Sequence, residues 1–198
     1  MMKRLTFLVI LCAVAAGLAG CASTPQAQFY TLSPSPPTAA APPAGCSVSV
    51  GPVSVPAVVD RQQIVVRTGP NQVSIDEFNR WASPLKSDIA RVVAENLVSM
   101  LGTPQVSVFP QSPAAGASYR VAIDVLRFDS VPGGASTLDA LWTVRSSKPE
   151  ESRSGRTVLS EPTQSGGYTA LVAAHSRALG KLSADIADAI RAFEKAGK

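Results

Sequence analysis

The sequence predicts an α+β fold: a largely antiparallel β-sheet with two helices packed on one face. Three observations carry this reading. Hydrophobic patterns follow one another as strands, helix, strands, helix. The strand segments alternate apolar and polar residues, as Tyr119, Val121, Ile123 and Val125 do against Arg120, Ala122 and Asp124. Two longer segments repeat their apolar residues every three or four positions, which places them on one face of a helix.

The elements follow in order. Met1 to Arg4 is a short basic start and Leu5 to Leu18 is apolar and uncharged. That run falls short of the roughly 20 apolar residues of a spanning helix, and residues 1–20 read as a secretory signal peptide. Leu18-Ala19-Gly20-Cys21 matches the bacterial lipobox, a leucine and two small residues before a cysteine. The thiol of Cys21 would be alkylated with diacylglycerol, and its freed amine acylated with a palmitate-type chain. Residues 21–45 then form a Pro/Ala-rich tether with Pro34, Pro36, Pro37, Pro42 and Pro43. From Cys21 to Ser47 it spans roughly 75 Å at about 3.1 Å per residue. Phe29, Tyr30 and Leu32 stand out within it as a short strand able to dock on the domain.

Residues 46–198 are expected to form a single periplasmic domain. Ser47 to Val50 reads as a half-buried strand, which Gly51-Pro52 places at an edge or a bend. Gln63 to Arg67 and Gln72 to Ile75 form a hairpin about Gly69-Pro70-Asn71. Ser83 is expected to cap a helix that has Pro84 at its first position. Its stripe is Leu85, Ile89, Val92, Val93, Leu97 and Met100, with Lys86, Arg91 and Glu95 facing away and Gly102 as the stop. Strands resume at Gln105–Phe109, Tyr119–Val125, Leu138–Val144 and Arg156–Pro162, with a solvated loop from Ser146 to Gly155. A last helix, Thr169 to Glu194, carries Leu171, His175, Leu179, Leu182, Ile186, Ile190 and Phe193 on one face.

Composition narrows the function. Lys3 and Arg4 leave with the signal peptide, so 16 basic residues face 14 acidic ones and the formal net charge falls from +4 to +2. Nothing forms a nucleic-acid footprint. Cys12 leaves with the leader and Cys21 is taken by lipid, so Cys46 has no intramolecular partner and reads as a small buried residue. His175, the single histidine, lies on an apolar stripe and reads as a buried side chain with a hydrogen-bond partner. The sequence offers no serine elbow, phosphate loop or metal-ligand set. The expectation is a protein without catalytic residues, metal or cofactor beyond the covalent lipid on Cys21.

Three stretches resemble a known family. They are Gly51-Pro52-Val53-Ser54-Val55-Pro56 continuing through Asp60-Arg61-Gln62-Gln63-Ile64-Val65-Val66-Arg67, then Arg80-Trp81-Ala82-Ser83-Pro84-Leu85, then Arg127-Phe128-Asp129 followed by Leu138, Ala140 and Trp142. With Tyr30-Thr31-Leu32 after the lipobox, they resemble the PqiC-type lipoproteins, auxiliary lipoprotein components of ABC-type transporters. Ser83 stands where that family's pattern is more acidic. The resemblance implies a non-catalytic lipoprotein on the periplasmic face of the outer membrane. It would serve an MCE-domain phospholipid conduit that rises from the inner membrane. Ala22, where an aspartate would direct inner-membrane retention, agrees with outer-membrane sorting. The partners implied are the membrane through the lipid anchor and an MCE-domain protein; the sequence leaves open whether further copies of the chain join it as a homo-oligomer. Asp60, Arg61, Arg67, Arg80 and Trp81 are the candidate partner-binding residues, because arginine and aromatic residues are enriched at interfaces. Residue by residue, other readings stand beside this one. They are a turn with a local ion pair for Asp60 and Arg61, a strand-end charge for Arg67, and core packing for Trp81 and Trp142. The alternative function is a structural or assembly lipoprotein that plugs a barrel or activates a cell-wall synthase.

Overall fold

In the computed structural model, which describes residues 25–35, 43–110, 116–148 and 151–196, the strands gather into two sheets rather than one. Cys12, Cys21 and residues 36–42 lie outside the described residues. The three-stranded sheet runs in the order β1 (Gln28–Tyr30), β4 (Gln72–Trp81), β3 (Gln63–Gly69). The five-stranded sheet runs β5 (Val106–Val108), β2 (Val48–Ser54), β6 (Tyr119–Ser130), β7 (Ala135–Ser146), β8 (Ser152–Pro162). The long pairs β3–β4, β6–β7 and β7–β8 are antiparallel. β1 joins β4 in parallel, and β2 is parallel to both β5 and β6. The fold is α+β with mostly antiparallel pairing.

Helices α1 (Leu85–Leu101) and α2 (Tyr168–Ala196) cover one face of the five-stranded sheet. The alternation seen in the sequence makes that face. Val121, Ile123 and Val125 of β6, Leu138, Ala140 and Val144 of β7, and Val48 and Val50 of β2 are buried beneath the helices. Opposite them lie the stripes Leu85-Ile89-Val93-Leu97 and Leu171-Leu179-Leu182-Ile186-Ile190, also buried. Ordinary area bookkeeping gives each such aliphatic side chain about 1.5–3 kcal/mol.

Several local expectations change. β2 is an interior strand, not an edge. Its register with β6 shifts between Val50 and Val53, and that irregularity accommodates Gly51-Pro52, which lacks an amide donor. β4 extends to Trp81, beyond Ile75, and its register jumps across Asp76–Asn79. There the Asp76 carboxylate accepts the amides of Phe78 and Asn79, each at 2.8 Å, and the Tyr168 hydroxyl at 2.7 Å. Ser83 caps nothing: Pro84 is the N-cap residue, in extended backbone, and no side chain caps the helix. Ser83 stands one residue too early to reach the first free amides. β8 begins at Ser152, so the loop read as running to Gly155 is shorter; polar Arg153 and Ser154 pair through their backbones with Val144 and Thr143.

The segment from β1 to Ser35 is a strap laid across the two helices. The Leu32 amide donates to the buried Asp88 carboxylate at 2.8 Å, and Thr31 Oγ1 donates to it at 3.2 Å. The Ser33 amide donates to Ser176 Oγ at 3.1 Å and the Ser35 amide to Asn96 Oδ1 at 3.0 Å. Asp88, Val92 and Asn96 line one side of this groove at four-residue spacing. Val172, Ser176 and Gly180 are spaced likewise on α2. A Cβ on Gly180 would come within 2.6 Å of Ser35 Oγ, so glycine there admits the strap. Arg91 does not simply face away; it donates to Asp88 at 2.6 Å, Glu95 at 2.9 Å and the Leu32 carbonyl at 2.7 Å.

Docking of the strap shortens the tether. Seven chain steps lead from Cys21 to Gln28, so an anchor at Cys21 would reach the folded domain over at most roughly 24 Å, not 75 Å.

Candidate functional site

Four of the five candidate residues, Asp60, Arg61, Arg80 and Trp81, converge where the loop after β2 meets the end of β4 and the start of α1. Pro56 turns the chain, its carbonyl accepting the amides of Val59 at 3.0 Å and Asp60 at 3.1 Å. Buried Val59 pins this loop to the core. Asp60 and Arg61 are thereby turned outward and are exposed. Asp60 pairs with Lys86 Nζ at 3.2 Å, tying the loop to the first turn of α1. Both partners are well exposed, so this pair contributes little to stability. Among the described residues the Arg61 side chain has no hydrogen-bond or ion-pair partner.

Trp81 and Arg80 reach the same place from β4. The Trp81 amide donates to the Gln62 carbonyl at 2.7 Å, and Gln63 stands opposite Arg80 in the sheet. The Trp81 side chain points inward. It is 4% exposed, and its ring meets Phe128 edge-on with centroids 6.2 Å apart. Trp81 is therefore a core residue joining the two sheets, not a contact surface. Arg80 is half-buried, with Nε donating to the Glu77 carbonyl at 2.8 Å. Trp142 is likewise committed to structure. Its indole donates to Thr157 Oγ1 at 3.1 Å, and it lies over Gly155, where a Cβ would come within 2.3 Å of the ring.

Arg67 stands apart, at the far end of β3. Its guanidinium donates to the Pro70 carbonyl at 2.9 Å and lies 3.3 Å from Asp129 of β6, while its Nε is buried without a partner. Burial pushes the Asp129 carboxyl up, but hydrogen bonds from Arg127 and Arg67 outweigh it and hold the carboxyl below its ordinary value. Arg67 is a clasp between the two sheets.

Next to the Asp60–Lys86 pair lies an open cavity of about 230 Å³, lined by Pro52, Val53, Lys86, Ala90, Val108 and Phe109. Phe109 and Val58 are exposed. Lys86 and the aromatic Phe109 line this hollow, and exposed Arg61 follows Asp60, the partner of Lys86, on the loop; arginine and aromatic residues are enriched at protein interfaces. The sequence reading missed Lys86, Val58 and Phe109, because only the fold joins the loop after β2 to α1 and β5.

His175 is fully buried. Its Nε2 lies 2.8 Å from Ser130 Oγ, its ring stacks on Phe128 with centroids 3.7 Å apart, and its Nδ1 has no partner. Burial lowers its pKa to about 3. A serine and a histidine at this distance resemble a nucleophile and its base. Ser130 is 3% exposed, however, and no carboxylate orients Nδ1. The pair is a core contact. Cys46 is buried too, and burial pushes its thiol pKa up. Among the described residues no cluster of His, Cys, Asp and Glu could hold a metal ion, and no helix is long and apolar enough to cross a membrane.

Residues 30–187 match a family model described as an ABC-type transport auxiliary lipoprotein component. A crystal structure of an uncharacterized protein superposes with a TM-score of 0.69 at 23% identity, covering 84% of this chain and 99% of the other. A Xanthomonas campestris protein of the family DUF330 superposes with a TM-score of 0.65 at 20% identity, covering 86% of this chain and 100% of the other. At these identities the two structures show a shared fold alone. No curated protein matches the chain.

Proposed function

The chain belongs to the family of ABC-type transport auxiliary lipoprotein components, and on that premise we propose that it is the outer-membrane, non-catalytic partner of an MCE-domain phospholipid conduit. Cys21 carries the lipid, Ala22 permits sorting to the outer membrane, and the domain docks the conduit at the patch around Arg61 and Lys86. The observation that carries the docking site is Arg61, on a loop pinned by Val59 and Pro56: its guanidinium is exposed and, among the described residues, has no hydrogen-bond or ion-pair partner. An arginine without such a partner is free to bond another protein without first breaking a bond of its own.

The side-chain contacts support a shorter list of proposed docking residues. Trp81 and Arg67 are structural, Arg80 is partly engaged, and Asp60, Arg61 and Lys86 remain available. The test is co-purification of MCE-domain protein from crosslinked envelopes, with matched thermal melts. Truncating a central interface arginine costs about 2 kcal/mol, so Arg61→Ala should weaken capture roughly thirtyfold at an unchanged melting temperature. Capture equal to wild type would move the docking site elsewhere. Capture of no MCE protein by the wild-type chain would favour the assembly-lipoprotein alternative.

A further inference from the structure

We propose that the β1 end of the domain is a membrane-contacting face, with Phe29 seated in the interfacial layer of the bilayer that holds the anchor. This rests on the lipidation of Cys21 proposed above and adds an orientation to it. Phe29 is 64% exposed, the most of any large hydrophobic side chain among the described residues. It projects from β1, an edge strand of the three-stranded sheet. Beside it is an open cavity of about 440 Å³, walled by Tyr30, Pro34, Val172 and Ala173. An exposed aromatic residue next to an apolar hollow marks an interaction surface, and aromatic rings favour the bilayer interface.

The chain itself selects the occupant. A lipid on Cys21 lies seven residues from Gln28, within roughly 24 Å. β1 cannot swing away on a loose linker, because the strap behind it is bonded to Asp88, Ser176 and Asn96. An anchor on Cys21 therefore keeps this end of the domain within roughly 24 Å of the membrane. The charge at the rim agrees. Arg177 lines the cavity, and Glu161 is shared between Arg177 at 3.4 Å and Lys181 at 2.5 Å. Two cations to one carboxylate leaves a local excess of positive charge toward anionic headgroups.

The test places a tryptophan at either end of α2. Lys195 is exposed and lies 27 residues beyond Tyr168 on that helix, roughly 40 Å away at 1.5 Å per residue. Tyr168 itself sits at the β1 end, its ring centroid 6.1 Å from that of Tyr30. Full-length lipidated Phe29→Trp and Lys195→Trp are reconstituted into phosphatidylethanolamine–phosphatidylglycerol vesicles whose acyl chains carry bromine. The wild-type protein supplies the background from Trp81 and Trp142. Both variants should float with the vesicles. Phe29→Trp emission should shift to the blue and be quenched by the bromine, and Lys195→Trp emission should do neither. Flotation of both with no quenching at Phe29→Trp overturns the orientation and leaves the anchor standing. Failure to float overturns the anchor and the orientation together.

Discussion

At the residue scale, burial decides what each side chain can do. His175 is kept neutral in the folded state, with a pKa of about 3 against 6.5 in the unfolded chain. Between those values the unfolded chain holds a proton that the folded chain does not. Stability from this residue is therefore complete above pH 6.5 and lost as pH falls toward 3, by at most about 1.4 kcal/mol per pH unit. Denaturant titrations at several pH values should show that slope in wild type and its loss in His175→Leu. At neutral pH His175→Leu should cost about 1 kcal/mol, since the Ser130 hydroxyl loses its partner, and partner capture should be unchanged. Loss of capture at an unchanged melting temperature would show that His175 does more than pack. The two arginines also separate. Arg67→Ala breaks the clasp on Asp129 and should cost about 1–2 kcal/mol of stability, whereas Arg61→Ala should stay within about 0.5 kcal/mol of wild type. Paired melts settle the division.

At the element scale, the helices were legible from sequence because their stripes need only local spacing. Leu85, Ile89, Val93 and Leu97 are buried as their period requires, and so is the stripe from Leu171 to Ile190. The strap was legible only in part. Tyr30 and Leu32 stood out as apolar residues in a proline-rich run. Nothing local marked Asp88, Asn96 and Ser176, polar residues that read as solvated until a segment distant in sequence covers them. The interior place of β2 and the two-sheet arrangement were hidden for the same reason, being set by parallel partners far away in the chain. The exposure of the candidate residues was legible in part: Asp60 and Arg61 do stand exposed on the β2–β3 loop, while Trp81 turns inward and Arg67 is engaged with Asp129. The strap yields a prediction. Asp88→Ala leaves the Leu32 amide without its acceptor and Arg91 without its closest carboxylate, and should cost about 2–3 kcal/mol. Gly180→Ala should gain helix propensity of up to about 1 kcal/mol, yet push Ser35 off α2. Hydrogen exchange should then quicken at the Leu32 and Ser35 amides in both variants. Unchanged protection there would mean that the strap is held by other contacts.

At the scale of the whole molecule, both proposed surfaces lie at one end. The Ala82 amide donates to the Tyr30 carbonyl, and the neighbouring Trp81 amide donates to Gln62 beside Arg61. β1, the loop after β2 and the start of α1 thus form a continuous corner of the fold. With a short tether, a conduit docking at Arg61 would meet the domain beside the bilayer rather than at the end of a long arm. The proposed docking role asks for little more: an α+β body, an anchor next to one corner, and on that corner Arg61, which has no side-chain partner among the described residues. Covalent lipidation is the premise of this arrangement. Cys21→Ser should leave the precursor unprocessed and free of palmitate label, and continued labelling would contradict the anchor.

The most direct measurement of the central claim is site-specific photocrosslinking in intact envelopes, with the photoreactive residue at Arg61 and, as the distal control, at Lys195. The account predicts that position 61 captures an MCE-domain protein in outer-membrane fractions and that position 195 captures far less of it. Capture of a barrel protein or a cell-wall synthase at position 61, with no MCE-domain protein at either position, would contradict it.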